Sequence, residues 1–126
     1  AQTQTALLDN VSKILSSQQI AQYRQTIQLI IIEPKLVEFI AKIVNETRNN
    51  QSLYLGASPR SSLAILRPSK ANSAIKGRDF VTPEDIIEMA APVMRHRIIL
   101  TPEKEMEGVT ADELIEQIIK NIEVPR

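Results

Sequence analysis

Apolar residues recur at helical spacing along most of the chain. After Pro34, five of them follow the i, i+3, i+4, i+7, i+8 pattern of one buried helix face: Leu36, Phe39, Ile40, Ile43 and Val44. A second face of this kind lies near the end of the chain: Leu114, Ile115, Ile118, Ile119 and Ile122. Two shorter apolar faces occur elsewhere. The one after Ser16 consists of Ile20, Tyr23 and Ile27, and the one after Thr82 consists of Ile86, Ile87, Met89 and Ala90. This pattern predicts a mainly all-α fold, a small helical bundle of five or six short helices.

Start signals for helices precede these faces. Ser16 with Gln19 and Thr110 with Glu113 have the spacing of a capping box, in which two side chains satisfy two backbone amides. Three prolines suit the first turn of a helix: Pro34, Pro59 after Ser58, and Pro83 after Thr82. The helix from Pro34 is expected to end near Arg48.

The helix that begins at Ser58-Pro59 is the least regular. We expect its buried stripe to contain Leu63, Leu66, Lys70, Ala71, Ala74 and Ile75, and Gly77 to end it. Pro68 lies inside this helix, where a proline removes a backbone hydrogen bond and costs roughly 3 kcal/mol. A kink or break between Ala64 and Pro68 is therefore expected, and Pro92 should interrupt the following helix.

The remaining segments predict loops and, at most, a short two-stranded β element. Residues 49–55 and the acidic stretch 103–108 are expected to be loops. The branched residues of Leu29–Ile32 and Ile98–Leu100 suit two strands that would pair with each other. Residues 1–126 are predicted to form one domain, with residues 1–10 as a connecting segment from a missing part of a longer protein.

Composition excludes several functions. The chain has 126 residues, of which 43% are hydrophobic, enough for one core. Its 15 basic and 15 acidic residues cancel, which argues against a general nucleic-acid binder. The absence of cysteine excludes disulfides and thiolate sites and favours a cytoplasmic location. The longest apolar runs are too short to span a membrane.

Glycine and histidine counts exclude further sites. Three glycines, at 56, 77 and 108, cannot form a phosphate-binding loop or a dinucleotide loop. The single His96 excludes multi-histidine zinc sites, and no metal site is predicted. No serine has the surroundings of a nucleophile elbow, so an independent small enzyme has no residues to support it.

Charge is distributed unevenly. Residues 58–100 contain seven basic and four acidic groups, a net +3, whereas residues 101–126 contain three basic and seven acidic groups, a net −4. The simpler explanation of this uneven charge is that these residues form ordinary solvated surfaces. The alternative is that residues 58–100 face an anion. Such an anion would bind at Gly56-Ala57-Ser58-Pro59-Arg60, because a helix N-terminus and an arginine both attract phosphate. A solvent-exposed or acid-paired Arg60 is the simpler interpretation of the residues alone.

Four segments carry a resemblance to a known family. They are Thr47-Arg48, Gly56 to Ser62, Gly77 to Asp85, and Met94-Arg95-His96-Arg97. In this order and at these intervals they resemble the C-terminal lid domain of MoxR-type AAA+ ATPases, over residues 11–125. The resemblance implies a helical lid that packs over a nucleotide held by the protein's own AAA+ core.

The resemblance also implies roles for single residues. Arg60 corresponds to the sensor-2 arginine that reaches the ATP γ-phosphate. Ser58, which its place before Pro59 predicts to be the N-cap of the helix, is a second candidate for binding the nucleotide. His96 could contact nucleotide or a neighbouring subunit, although a structural role near a helix end is the simpler interpretation. ATP and Mg²⁺ would be bound mainly by the core, which carries the Walker A and B motifs, so this chain alone should not hydrolyse ATP. Pro68 and Asn72 depart from the family pattern and put the angle of Arg60 in doubt.

For the intact protein, the resemblance implies a homo-oligomer, a hexamer in this family. It also implies chaperone-like action on client proteins, often ones with von Willebrand factor A domains. The alternative from a different class is a freestanding helical DNA-binding or protein-interaction module. The net +3 segment and the Ser58-to-Gly77 helix support that alternative, whereas the zero net charge, the acidic tail and Pro68 oppose it.

Overall fold

The computed structural model describes residues 7–126. Residues 1–6, which form most of the predicted connecting segment 1–10, lie outside the described residues. The described chain is mainly helical with one small two-stranded antiparallel sheet, which confirms the predicted fold class. Within residues 7–126, no helix is long and apolar enough to cross a bilayer.

Helix α1, Ser17–Gln28, lies on the surface of the bundle. The side chain of Ser16 accepts the amide of Gln19 at 3.1 Å, and the side chain of Gln19 accepts the amide of Ser16 at 2.9 Å, so the predicted capping box is confirmed. The helix buries none of its residues, and Tyr23 on its apolar face is 52% exposed. Capping therefore stabilises α1 more than burial does.

Helix α2, Pro34–Arg48, supplies the centre of the core. Its boundaries and its buried face are those that the sequence predicts, with Leu36, Phe39, Ile40, Ile43 and Val44 all buried. Thr47 extends this face by one more turn and is also buried. A face of this width makes α2 the helix around which the other helices pack.

The small sheet joins strands β1, Leu53–Leu55, and β2, Ile99–Leu100. Leu53 lies opposite Leu100, and both side chains are buried. The prediction that Ile98–Leu100 would pair with Leu29–Ile32 is wrong, as is the prediction of a loop at residues 53–55. Ile31 instead forms an isolated parallel bridge with Phe80.

In helix α3, Ser61–Ile75, the buried residues are not those that the sequence predicts. The buried residues are Ser61, Ile65, Ser69 and Ser73, at a strict spacing of four. Leu63 and Ile75, which were expected inside, are 53% and 84% exposed. Small serine side chains on this face let the backbone of α3 approach the next helix, α4 (Pro83–Met94), closely.

Pro68 does not break α3. The helix continues from Ser61 to Ile75 with the proline inside it. Ile65 and Ser69, on either side of Pro68, are fully buried, so tertiary packing offsets the roughly 3 kcal/mol that an interior proline costs.

Helix α4, Pro83–Met94, packs along α3. It begins at the predicted proline but continues through Pro92, so the predicted interruption there is wrong. Its buried apolar residues are Ile86, Ala90 and Met94, at a spacing of four, which complements the buried face of α3. Ile87 and Met89, expected in the same face, are not buried.

Helices α5, Pro102–Met106, and α6, Ala111–Lys120, complete the bundle. Helix α5 lies in the stretch predicted to be an acidic loop, and it forms because the Thr101 side chain caps it by accepting the amide of Lys104. The Thr110 side chain accepts the amide of Glu113 at 3.1 Å and caps α6, but the second hydrogen bond of the predicted capping box, from the Thr110 amide to the Glu113 side chain, is not formed within residues 7–126. The core includes four residues from α6: Leu114, Ile115, Ile118 and Ile119.

Candidate functional site

The loop of residues 56–60 connects β1 to α3 and rests on the end of α2. A Cβ atom at Gly56 would lie 2.6 Å from the Cα of Arg48 and would also collide with the carbonyl oxygen of Thr47. Real Cβ atoms essentially never approach backbone atoms so closely. Glycine is therefore required here by the space available, and it lets the loop lie directly on α2.

Thr47 fixes the next residue of the loop. Its buried hydroxyl oxygen accepts the amide of Ala57 at 3.0 Å and donates to the carbonyl of Val44 at 2.6 Å. Ala57 is itself fully buried. Because both partners are out of water, this pair of hydrogen bonds holds the loop in one position.

The structure moves the start of α3 away from Ser58. Ser58 and Pro59 form a turn whose carbonyl oxygens accept the amides of Ser61 and Ser62, at 2.9 and 3.1 Å. Helix α3 therefore begins at Ser61, and the prediction of Ser58 as its side-chain N-cap is wrong. These two amides are already satisfied, so a bound anion would rely on side chains more than on free backbone N–H groups.

Arg60 is the last residue before α3. Its backbone is already helical, with φ −63° and ψ −20°, and the residue is exposed. Within residues 7–126, no carboxylate forms an ion pair with its guanidinium. The structure therefore leaves a cation on a fixed backbone position at the end of a long helix.

Two surface grooves flank this loop and share Arg48. One, of about 470 Å³, is lined by residues 54–59 together with Arg48 and Arg97. The other, of about 440 Å³, lies between α2 and the start of α3 and contains Lys42, Arg48, Pro59 and Ser62. No acidic residue of the described chain lines either groove. Sequence analysis did not single out Arg48 or Arg97 as site residues, although both stand in the segments that carry the resemblance.

His96 does not line these grooves. It lies in the turn after α4, exposed, between Arg95 and Arg97. Arg95 forms an ion pair with Asp112 at 3.1 Å, whereas Arg97 donates from Nε to the carbonyl of Val93 at 3.0 Å and lines the larger groove. Among residues 7–126, no cluster of three or more metal-ligating side chains occurs.

A second arginine, Arg78, is bound within the fold. It lies just beyond Gly77, whose φ of 79° ends α3 as predicted. Its two terminal nitrogens donate to both oxygens of Asp85, at 2.7 and 2.8 Å. Asp85 is fully buried and also accepts hydrogen bonds from Thr82 and Asn72. This Arg78–Asp85 clasp joins the end of α3 to the start of α4.

The clasp sets the charge of Asp85. Burial alone raises the pKa of this carboxyl, but the hydrogen bonds from Arg78 and from the Thr82 amide and hydroxyl oppose it, so the pKa lies below its ordinary value of 3.8. The hydrogen bond to Asp85 and the negative charges of the nearby acids raise the pKa of Arg78 above its ordinary value, although its partial burial opposes this. Both groups stay charged at neutral pH, and the clasp is a structural ion pair.

Comparison with known proteins places this geometry in a family. The profile of the AAA lid domain family matches residues 45–118, which contain the loop, every residue that lines the larger groove, and the clasp. The YeaC protein of Bacillus subtilis is 29% identical over 94% of this chain, and Chaperone MoxR1 of Mycobacterium tuberculosis is 27% identical over 90% of it. Protein MoxR of Methylorubrum extorquens is 34% identical over 56% of the chain.

A solved structure shares the fold. A crystal structure of a candidate ATPase from Cytophaga hutchinsonii superposes with a TM-score of 0.84 and is 33% identical over 92% of this chain. The chain spans only 38% of that protein, 37% of YeaC and 33% of MoxR1. The matched family, these relatives and the shared fold lead to one assignment: the chain is a member of the AAA lid domain family, of the MoxR type.

Proposed function

We propose that this lid covers an ATP molecule held by a preceding AAA+ core, and that Arg60 contacts the γ-phosphate as the sensor-2 residue. The observation that carries this proposal is the exposure of Arg60 and the lack of an acidic partner for it within residues 7–126. Its guanidinium is exposed and has no acidic partner within residues 7–126, on a loop that Gly56 and Thr47 hold against α2. A guanidinium placed in this way is suited to phosphate oxygens, which it binds through two parallel hydrogen bonds.

The role of Arg60 in this proposal is electrostatic. A guanidinium stays protonated at any physiological pH, so it transfers no proton and instead stabilises charge that develops on the phosphate. Bound ATP, with Mg²⁺, supplies the bond that is hydrolysed. Loss of the γ-phosphate would remove the contact to Arg60 and release the lid from that position.

The Walker A and B motifs belong to the proposed core, and this chain alone is not expected to hydrolyse ATP. The intact protein would assemble with copies of itself, as a hexamer, and act as a chaperone on client proteins such as those with von Willebrand factor A domains. The name of the relative Chaperone MoxR1 supports the chaperone role. A cytoplasmic location is proposed from the absence of cysteine in the sequence.

The DNA-binding alternative is not adopted. It required the helix after Ser58 to enter a groove of the duplex, but one face of α3, from Ser61 to Ser73, is buried in the bundle. His96, like Arg60, lines neither groove beside the loop of residues 56–60, and its contact with nucleotide or with a neighbouring subunit stays a prediction.

The test is ATP turnover by the full-length protein with Arg60→Gln. Removing one preorganised contact to developing charge should lower turnover roughly 100-fold. Arg67→Gln is the matched control, because Arg67, like Arg60, is an exposed arginine that lines neither groove and forms no ion pair within residues 7–126, but it lies seven residues after Arg60, inside α3 and away from the loop of residues 56–60. Equal turnover in the two variants would overturn the assignment of Arg60.

A further inference from the structure

Arg48 stands on the ridge between the two grooves. It lines the groove of about 470 Å³ on one side and the groove of about 440 Å³ on the other, and Pro59 lines both as well. Arg60 follows Pro59 directly in the chain. The fold thus brings a guanidinium from the end of α2 beside the residue that precedes the proposed sensor.

Two further cations lie along the same ridge. Arg97 lines the larger groove, and its Nε is held by the carbonyl of Val93 at 3.0 Å, which orients the guanidinium. Lys42 lines the smaller groove. With Arg48 they form a row of three cations, and no carboxylate of residues 7–126 lines either groove or pairs with any of the three.

The backbone under this row is fixed before any ligand arrives. Gly56 has no room for a side chain against α2, and the amide of Ala57 is bound to the buried hydroxyl of Thr47. Thr47 is the residue before Arg48, so one buried hydrogen bond holds both the loop and the start of the Arg48 side chain. The carbonyl of Val93 likewise orients the side chain of Arg97, whereas the exposed side chains of Arg48 and Lys42 extend from a backbone that is already fixed, and a fixed backbone lowers the conformational freedom that binding costs.

We propose that Arg48 is a second phosphate-binding residue of this lid, and that it contacts the non-terminal phosphates of the nucleotide whose γ-phosphate reaches Arg60. This rests on the proposed function, because that function brings a phosphate chain to the loop of residues 56–60. A row of cations with no acidic partner favours a ligand with several adjacent negative charges over a single carboxylate. Arg97 and Lys42 support the same ligand at longer range.

The proposal predicts that Arg48 and Arg60 affect the binding of different nucleotides. A contact to non-terminal phosphates exists with ADP and with ATP, whereas a contact to the γ-phosphate exists only with ATP. Arg48→Gln should therefore weaken the binding of ADP and of a non-hydrolysable ATP analogue by a similar factor, about tenfold for one charged hydrogen bond. Arg60→Gln should weaken binding of the ATP analogue alone.

The experiment is isothermal titration of the full-length protein with each nucleotide, using Arg48→Gln, Arg48→Lys, Arg60→Gln and the control Arg67→Gln. Unchanged melting temperatures would show that each variant is folded. The Arg48→Lys variant should retain part of the affinity, because a lysine keeps the charge without the two-pronged geometry.

Other results would contradict the assignment of Arg48 or that of Arg60. If Arg48→Gln binds both nucleotides as tightly as Arg67→Gln does, the proposal is wrong. Normal nucleotide binding with loss of oligomers, or with loss of binding to a single-stranded oligonucleotide, would also overturn it and assign the row of cations to a protein or nucleic-acid contact. An Arg60→Gln variant that binds the ATP analogue as tightly as Arg67→Gln does would refute the sensor-2 assignment, and the ADP titration would test Arg48 independently of it.

Discussion

The two ends of α3 each hold an arginine, in opposite circumstances. At the C-terminal end, Arg78 is joined by two hydrogen bonds to the fully buried Asp85. At the N-terminal end, Arg60 is exposed and forms no ion pair within residues 7–126. One arginine is used to hold two helices together, and the other is available to a ligand.

The difference between them comes from their surroundings and not from their motifs. Both residues stand in short segments that carry the resemblance to AAA+ lids, and both are near a glycine. The Thr82 amide and Asn72 side chain help to hold a buried carboxylate opposite Arg78. The loop before Arg60 is held only by neutral groups, Gly56, Thr47 and Ala57. The buried acid makes Arg78 structural, whereas Arg60 has no acidic partner within residues 7–126.

The largest effect is expected at the clasp. Asp85→Ala removes the partner of Arg78 and leaves the polar groups around it without their acceptor, so it should lower the free energy of unfolding by about 3 kcal/mol. Urea unfolding of the 126-residue chain, followed by circular dichroism, measures this loss. Glu88→Ala is the control, because Glu88 contacts Lys76 and Asn72 in the same region but is exposed. An equal loss in both variants would show that burial of Asp85 does not matter.

Acid should weaken the clasp. The pKa of Asp85 in the folded chain lies below 3.8, so its contribution to stability is complete above that value and is lost as the pH falls through the folded pKa. The difference in unfolding free energy between wild type and Asp85→Asn should therefore be constant from about pH 7 to pH 5 and shrink below about pH 4. A difference that grows on acidification would contradict the direction of the pKa shift.

A smaller effect is expected where Thr47 holds the loop. Thr47→Val keeps the shape of the side chain but leaves the buried amide of Ala57 without an acceptor, which should cost about 2 kcal/mol. Thr26→Val is the control, because the Thr26 hydroxyl also bonds a carbonyl of its own helix but is exposed. A urea midpoint for Thr47→Val equal to that of Thr26→Val would mean that the loop needs no such anchor.

The smallest effect on stability is expected at Arg60. Arg60→Gln should change the free energy of unfolding by less than about 0.5 kcal/mol, since an exposed residue with no partner within residues 7–126 contributes little to the fold. A loss comparable to that of Asp85→Ala would show that Arg60 has a structural partner, and the contrast between the two ends of α3 would disappear.

Sequence analysis was most successful where one helix face is strongly apolar. The boundaries of α2 and its buried face follow from the spacing of Leu36 to Val44, because the apolar stripe there has no competing interpretation. The caps at Ser16 and Thr110 were also predictable, since a capping interaction depends on residues three apart. Arg60 became a candidate through the predicted helix start and the affinity of arginine for phosphate, and the resemblance added its role as sensor 2; periodicity contributed nothing to either.

The buried face of α3 could not be predicted in this way. Ser69 and Ser73 are polar by composition, but each hydroxyl donates to a carbonyl of its own helix, Ile65 or Lys70, and can then be buried without an unsatisfied group. An apolar count ignores such residues and selects Leu63 and Ile75 instead. The pairing of Leu53 with Leu100, and the grooves beside Arg48, depend on residues far apart in the chain, which local pattern does not connect.

The uninterrupted course of α3 has a mechanical consequence. Fifteen residues at 1.5 Å per residue give a rod of roughly 22 Å, with Arg60 at one end and the clasp to α4 at the other. A hinge at Pro68 would have let the two ends turn separately. A continuous helix instead joins the two ends through one hydrogen-bonded segment, so under the proposed function a displacement of Arg60 by the nucleotide would be passed to the clasp and to α4.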